Sequence, residues 1–159
     1  MRLPLSHWAR AVAILLTMNL DVELLESSFD LVAPRGDELM DIFYARLFEA
    51  APAVKPLFAG GDIQRQKQML LGTLVLLRKS LRNLDAIVPK LEALGARHVA
   101  YGAKTEHYMV VGEVLIASLA EIAGDAWSAE HELAWAAAFA VVADAMLNGA
   151  AGAELRIAA

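Results

Sequence analysis

Apolar residues recur at i, i+3, i+4 and i+7 along almost the whole chain, and stretches that alternate with period two are nearly absent. A stripe of that spacing lies on one face of an α-helix and on no face of a strand, so the chain is directed to an all-α fold. Residues that stop helices stand between the stripes. DVELLESSFDLVA fits a first helix over about 21–33, stopped by Pro34, Arg35 and Gly36. A second is expected over 37–50, then a short segment from Pro52 to Phe58 and a loop at Ala59-Gly60-Gly61. Asp62 is a candidate cap for a helix over 63–82, and Pro89 stands early in one over 88–101 that Gly102 ends. Thr105 caps a long helix to about Ile122, and Ser128 caps a last one over 129–148, closed by Asn148-Gly149. The Ala- and Gly-rich residues 151–159 are expected to form a flexible tail. The expectation is six to eight helices in one domain over 19–150, without repeats or an internal linker.

Of the 159 residues, 58% are of hydrophobic type, a generous interior for this length. Either the domain encloses an apolar ligand or a partner covers part of it. A net charge of −5 and no run of Lys or Arg exclude the electrostatic footprint of a nucleic-acid binder. There is no Cys, hence no disulfide, thiolate metal site or cysteine nucleophile, which fits a reducing cytoplasm. The first 18 residues, MRLPLSHWARAVAILLTM, contain an apolar run far shorter than the roughly 20 residues that span a bilayer. No small-x-small cleavage site follows it. The segment is read as an N-terminal arm or extra helix, the alternative being a surface that docks a membrane or a partner.

Polar residues on apolar faces carry the functional signal. The stripe Met40–Tyr44–Leu47–Phe48 turns a phenol inward, and Ile63–Gln66–Leu70–Leu74–Leu77 turns an amide inward. Leu91–Leu94–His98 places an imidazole one turn beyond Leu94 on the same face, and Tyr108, Val111 and Leu115 stripe the next helix. Each alone is most simply a core or boundary residue satisfied by a nearby carbonyl. His107 faces about 100° away from Tyr108 and is read as exposed surface. His98 and His107 are separated by Gly102 and make no i, i+4 pair, so a multi-ligand zinc site is disfavoured. Taken together, three helices each bring one polar group to an apolar face. A single histidine without a second protein ligand suits a planar metal cofactor, because a porphyrin supplies the four equatorial bonds.

Four motifs extend the argument. R-H-x-x-Y-G-x-x-x-x-H-Y-x-x-V-G-E spans residues 97–113, F-Y-A-R-L-F residues 43–48, P-x-V-K-P-L-F residues 52–58 and R-N-L-D-A-I-V-P-K-L residues 82–91. In this order they resemble the bacterial single-domain globins related to the globin domain of flavohemoglobins, over about Asp21 to Ala150. The resemblance implies a globin fold, a three-over-three helical sandwich around haem b. It makes His98 the proximal iron ligand, Tyr44 the distal tyrosine and Gln66 the distal glutamine, with Gln64 and Ile63 as fallback registers. Phe58 would stack on the porphyrin, Leu70 would line the distal pocket and Tyr108 would stand on the proximal side. Leu94 and Val111, on the same stripes as His98 and Tyr108, complete the expected lining.

The sequence departs from that family in one place: Gly152 stands where flavohemoglobins carry a proximal glutamate, with Glu154 two positions on. No G-x-G-x-x-G motif for a flavin or nicotinamide module is present. The implied function is reversible binding of O₂, NO or CO. Tyr44 and Gln66 would also serve NO dioxygenation with a reductase in trans. The alternative is a haem-based gas sensor signalling to a partner through the N-terminal arm, and oligomeric state is left open.

Overall fold

The computed structural model describes residues 20–158, with side chains as far as Leu155. The arm expected over residues 1–18 lies outside the described residues. Those described form six α-helices and no strand. They are α1 (Val22–Val32), α2 (Gly36–Ala50), α3 (Ile63–Ser80), α4 (Val88–Ala100), α5 (Thr105–Ala123) and α6 (Ala129–Ala158). Short 3-10 turns cover Ala33–Arg35, Pro52–Phe58, Leu84–Ala86 and Gly124–Ala126.

Helix starts follow side-chain acceptors. Asp21 accepts from the Leu24 amide at 3.1 Å and Asp62 from the Gln64 amide at 2.9 Å, each satisfying an N–H that has no intrahelical partner. Thr105, expected as a cap, is instead the first residue of α5. The acceptor there is His107 Nδ1, 3.0 Å from the Lys104 amide. At α6 the expected Ser128 is joined by His131, whose Nδ1 takes the Ser128 amide at 3.1 Å.

Helix stops are less regular than the glycines and prolines suggest. Pro34 and Arg35 form a 3-10 turn that leads directly into α2, and Gly36 is right-handed helical at φ −58°. Its missing side chain matters for packing, since a Cβ there would lie 3.0 Å from Leu71 Cδ2. Gly102 and Gly124 do end helices, at φ 86° and 57°, the left-handed region that favours glycine. The expected stop at Asn148-Gly149 is corrected: α6 continues to Ala158. Gly149 is used in a tertiary contact rather than a turn.

Packing divides the interior into two clusters. The larger gathers Leu25, Phe29, Leu39, Phe43, Tyr44, Leu115, Leu119 and Trp135 from α1, α2, α5 and α6. The smaller joins Leu84, Ile87 and Leu91 to Val141, Ala145 and Met146 of α6. Leu20 and Leu77 border both. Residues 129–155 of α6 are long and apolar enough to cross a bilayer, but here that apolarity serves both clusters. Salt bridges set register at the rim: Glu26 meets Arg78 at 3.1 Å and Arg82 at 2.6 Å, and Arg78 also meets Asp30, fastening α1 to α3.

One buried polar chain crosses the larger cluster. Trp135 Nε1–H donates to Ser28 Oγ at 3.0 Å, and Ser28 Oγ–H donates to the Leu24 carbonyl at 2.7 Å. Replacing Ser28 by Ala would leave the indole N–H unpaired in an apolar setting. The expected loss is about 1–3 kcal/mol of stability, read as a lower urea midpoint. An unchanged midpoint would mean that the indole finds another acceptor.

Candidate functional site

Two separate groups of side chains carry the expected site residues. The first is built on α2, the Pro52–Phe58 turn and the start of α3. Tyr44 is 6% exposed. Its ring stands edge-on to Phe43 at 5.0 Å and to Phe58 at 5.7 Å, and Phe48 packs on Phe58 at 5.5 Å. Edge-to-face packing of this kind fixes the ring plane and aims the hydroxyl along α3. There Tyr44 Oη–H donates a long hydrogen bond, 3.5 Å, to the Gln66 main-chain oxygen. Burial pushes the phenol up to about 12, so the group keeps its proton and remains a donor at any physiological pH.

The Asp62 cap fixes the register of α3 and leaves Gln66 half-buried, while Gln64 is exposed and Ile63 borders the larger cluster. The Gln66 amide nitrogen lies 3.8 Å from where a Cβ of Gly61 would stand. It is therefore the Gln66 main chain, and not its amide, that meets the tyrosine. Lys67 reaches back to Asp41 at 2.8 Å and ties the start of α3 to α2. Leu70 borders the larger cluster on the same face.

The second group is on α4 and α5. His98 is half-buried, and its Nδ1 lies 2.7 Å from the Leu94 carbonyl oxygen. A carbonyl only accepts, so Nδ1 carries a proton, and in the neutral imidazole the lone pair is then on Nε2. The imidazole is thereby oriented as a one-nitrogen ligand. Tyr108 and Tyr101 flank it, with ring centroids 6.5 Å and 5.5 Å away. Leu94 and Tyr108 pack on the smaller cluster, and Val111 on the larger. The Tyr108 hydroxyl is buried without a hydrogen-bond partner among the described residues, and burial raises its pKa. Glu154, the candidate replacement for a proximal glutamate, is exposed.

The structure thus brings Tyr44, Phe58 and Gln66 together, and separately His98, Leu94 and Tyr108. Leu57 joins the two sides: its Cδ2 lies 3.2 Å from where a Cβ of Gly102 would stand, at the turn that follows His98. His107, expected to be plain surface, is partly buried because its ring folds back to cap α5. Among the described residues no three His, Asp or Glu side chains gather to hold a metal. The donor set, one oriented imidazole on an apolar face, matches an axial ligand to a porphyrin metal rather than a protein-only metal cage. A surface recess of about 690 Å³, lined by Arg46, Glu113, Glu121 and Glu132, holds none of these side chains. Sequence reasoning missed Gly95 and read Gly149 as a helix stop; both lie at the α4–α6 contact. A glycine inside the otherwise favourable helix over 88–101 was the available signal for the first.

The chain is similar to several known proteins. The family model described as Globin matches residues 41–146. The flavohemoprotein of Bacillus subtilis (strain 168) is 27% identical over 132 residues, covering 82% of this chain and 33% of the relative. That of Bacillus thuringiensis subsp. konkukian (strain 97-27) is 32% identical over 131 residues, covering 80% and 32%. That of Bordetella parapertussis (strain 12822) is 30% identical over 127 residues, covering 79% and 32%. The chain therefore spans about a third of the length of these relatives. A crystal structure of the closed form of the globin domain of HGbRL is 34% identical and covers 83% of this chain and 95% of that one, with a TM-score of 0.41.

The Tyr44 phenol has a consequence in alkali. An unfolded chain ionises its tyrosines near pH 10, whereas folded Tyr44 resists until about pH 12. Its contribution is intact below pH 10 and is lost as pH rises toward 12, because only the unfolded state releases that proton. Tyr44→Phe is expected to flatten, though not remove, the fall in urea midpoint between pH 10 and 12, since Tyr108 is also raised. A variant that declines as steeply as the parent would contradict the assignment.

Proposed function

Because the chain belongs to the globin family, we propose that it is a haem b globin that binds O₂, NO or CO reversibly. The observation that carries this reading is the His98–Leu94 bond, which leaves Nε2 as a free lone pair on an apolar face. Haem, when bound, would supply an iron able to take an imidazole nitrogen and a diatomic gas. His98 would hold the iron, and the Leu94 carbonyl would fix its tautomer and ring direction.

On the other side Tyr44 has the properties of a permanent donor: its proton is retained and its ring is held by Phe43 and Phe58. A hydrogen bond from that hydroxyl toward a partly negative ligand is worth roughly 1–3 kcal/mol in a dry site. Gln66 would add a second donor by turning its amide from the Gly61 loop. Phe58, Leu70 and Val111 would exclude water, while Leu94 and Tyr108 would pack the proximal face. Nitric oxide dioxygenation is an enzymatic extension of this reading, with electrons from a separate reductase. Reversible binding ranks first because the Tyr108 hydroxyl and the exposed Glu154 form no chain that would make the His98 imidazole more basic.

Purified protein supplied with haem is expected to show a Soret band and a ferrous-CO spectrum, both lost with His98→Ala. A protein that takes up no haem, or an Ala variant with an unaltered spectrum, would overturn the assignment. Tyr44→Phe should release O₂ about tenfold to a hundredfold faster, measured by stopped-flow displacement. An unchanged rate would remove Tyr44 from the distal role.

A further inference from the structure

We propose that Gly95 and Gly149 are positioning residues for the iron ligand, acting through a reciprocal main-chain contact that sets how far α4, and hence His98, stands from α6. The proposal rests on His98 as the haem ligand and adds what determines its place.

A Cβ on Gly95 would overlap the Met146 carbonyl oxygen and lie 2.6 Å from Met146 Cα. A Cβ on Gly149 would overlap the Glu92 carbonyl oxygen and lie 2.6 Å from Glu92 Cα. Each helix therefore offers a glycine to the backbone of the other. The two contacts are three residues apart on both helices, about 4.5 Å along the axis. Two points fix spacing and slide together, where one would fix spacing only.

The nature of the obstacle matters. A Cβ on Gly112 would meet the edge of the Phe139 ring, which can swing aside, and one on Gly72 would meet nothing within 4 Å. At Gly95 and Gly149 the obstacle is main chain, which moves only if a helix moves. Gly95 lies three residues before His98 on the same helix side, so displacement of α4 carries the imidazole with it. The Leu94 carbonyl that orients the ring adjoins Gly95 and would shift too.

The test uses full-length, haem-loaded Gly95→Ala and Gly149→Ala, with Gly72→Ala on the exposed side of α3 as the control in open space. The ferrous iron–histidine stretching band is read by resonance Raman and CO association by flash photolysis. Both contact variants are expected to displace the band and to change CO association by up to about a hundredfold, while Gly72→Ala keeps the parental values. To separate ligand placement from general disturbance, each substitution is repeated in His98→Gly protein supplied with free imidazole. There the ligand is no longer tethered to α4, and the displacement should vanish.

Folded contact variants with the parental band and rate would overturn the proposal. An effect that persists with free imidazole would do the same. If both contact variants fail to fold, as judged by circular dichroism, the glycines serve folding alone and the proposal is again overturned. Parent protein without a Soret band would instead sink the haem reading itself.

Discussion

The apolar face of one long helix, α6, contributes to both hydrophobic clusters, and that is the constraint on which this structure depends. α6 supplies Trp135 and Ala138 to the larger cluster and Val141, Ala145 and Met146 to the smaller. Without it neither cluster closes, because α1, α4 and α5 each lean on it from a different side. The tryptophan is its most demanding part: a large ring that must be packed against Phe29 and an N–H that must be paired with Ser28. The remaining helices are arranged so that both needs are met at once.

The proposed function draws on two groups of side chains of different character. The group around Tyr44 is held by aromatic edges and a capped helix start, and it offers a hydroxyl whose proton is secure. The group around His98 is held by a carbonyl bond within α4 and by the way α4 lies on α6. One side thus provides a donor and the other a lone pair, which is the division of labour that the proposed gas binding requires. The link at Leu57 and Gly102 passes between them through the turn that follows His98.

Much of this was legible in the sequence, for a physical reason. A stripe of period 3.6 reports which way a side chain faces, so the inward placing of Tyr44, Gln66 and Leu94 could be read without coordinates. Helix ends were legible only where local chemistry decides them, as at Asp21, Asp62, Gly102 and Gly124. Gly149 was misread as a stop because a neighbouring helix claims it, and period carries no information about neighbours. His107 was misread as surface because a capping bond runs back along the chain to Lys104. Gln66 marks the limit of the method: the facing side was legible, whereas the direction of its amide, toward the Gly61 loop, depends on packing around α3.

The meeting of α4 with α6 has a further implication for how such a chain tolerates change. An interface made of side chains must be re-fitted whenever one of them is replaced. At Gly95 and Gly149 main chain touches main chain, whereas Leu91, Val141, Ala145 and Met146 around them are fitted side chain to side chain. Replacement of those side chains meets a graded cost, while the two glycine positions admit no substituent at all. Tolerance in this part of the molecule is therefore expected to change abruptly from one residue to the next along the same helix.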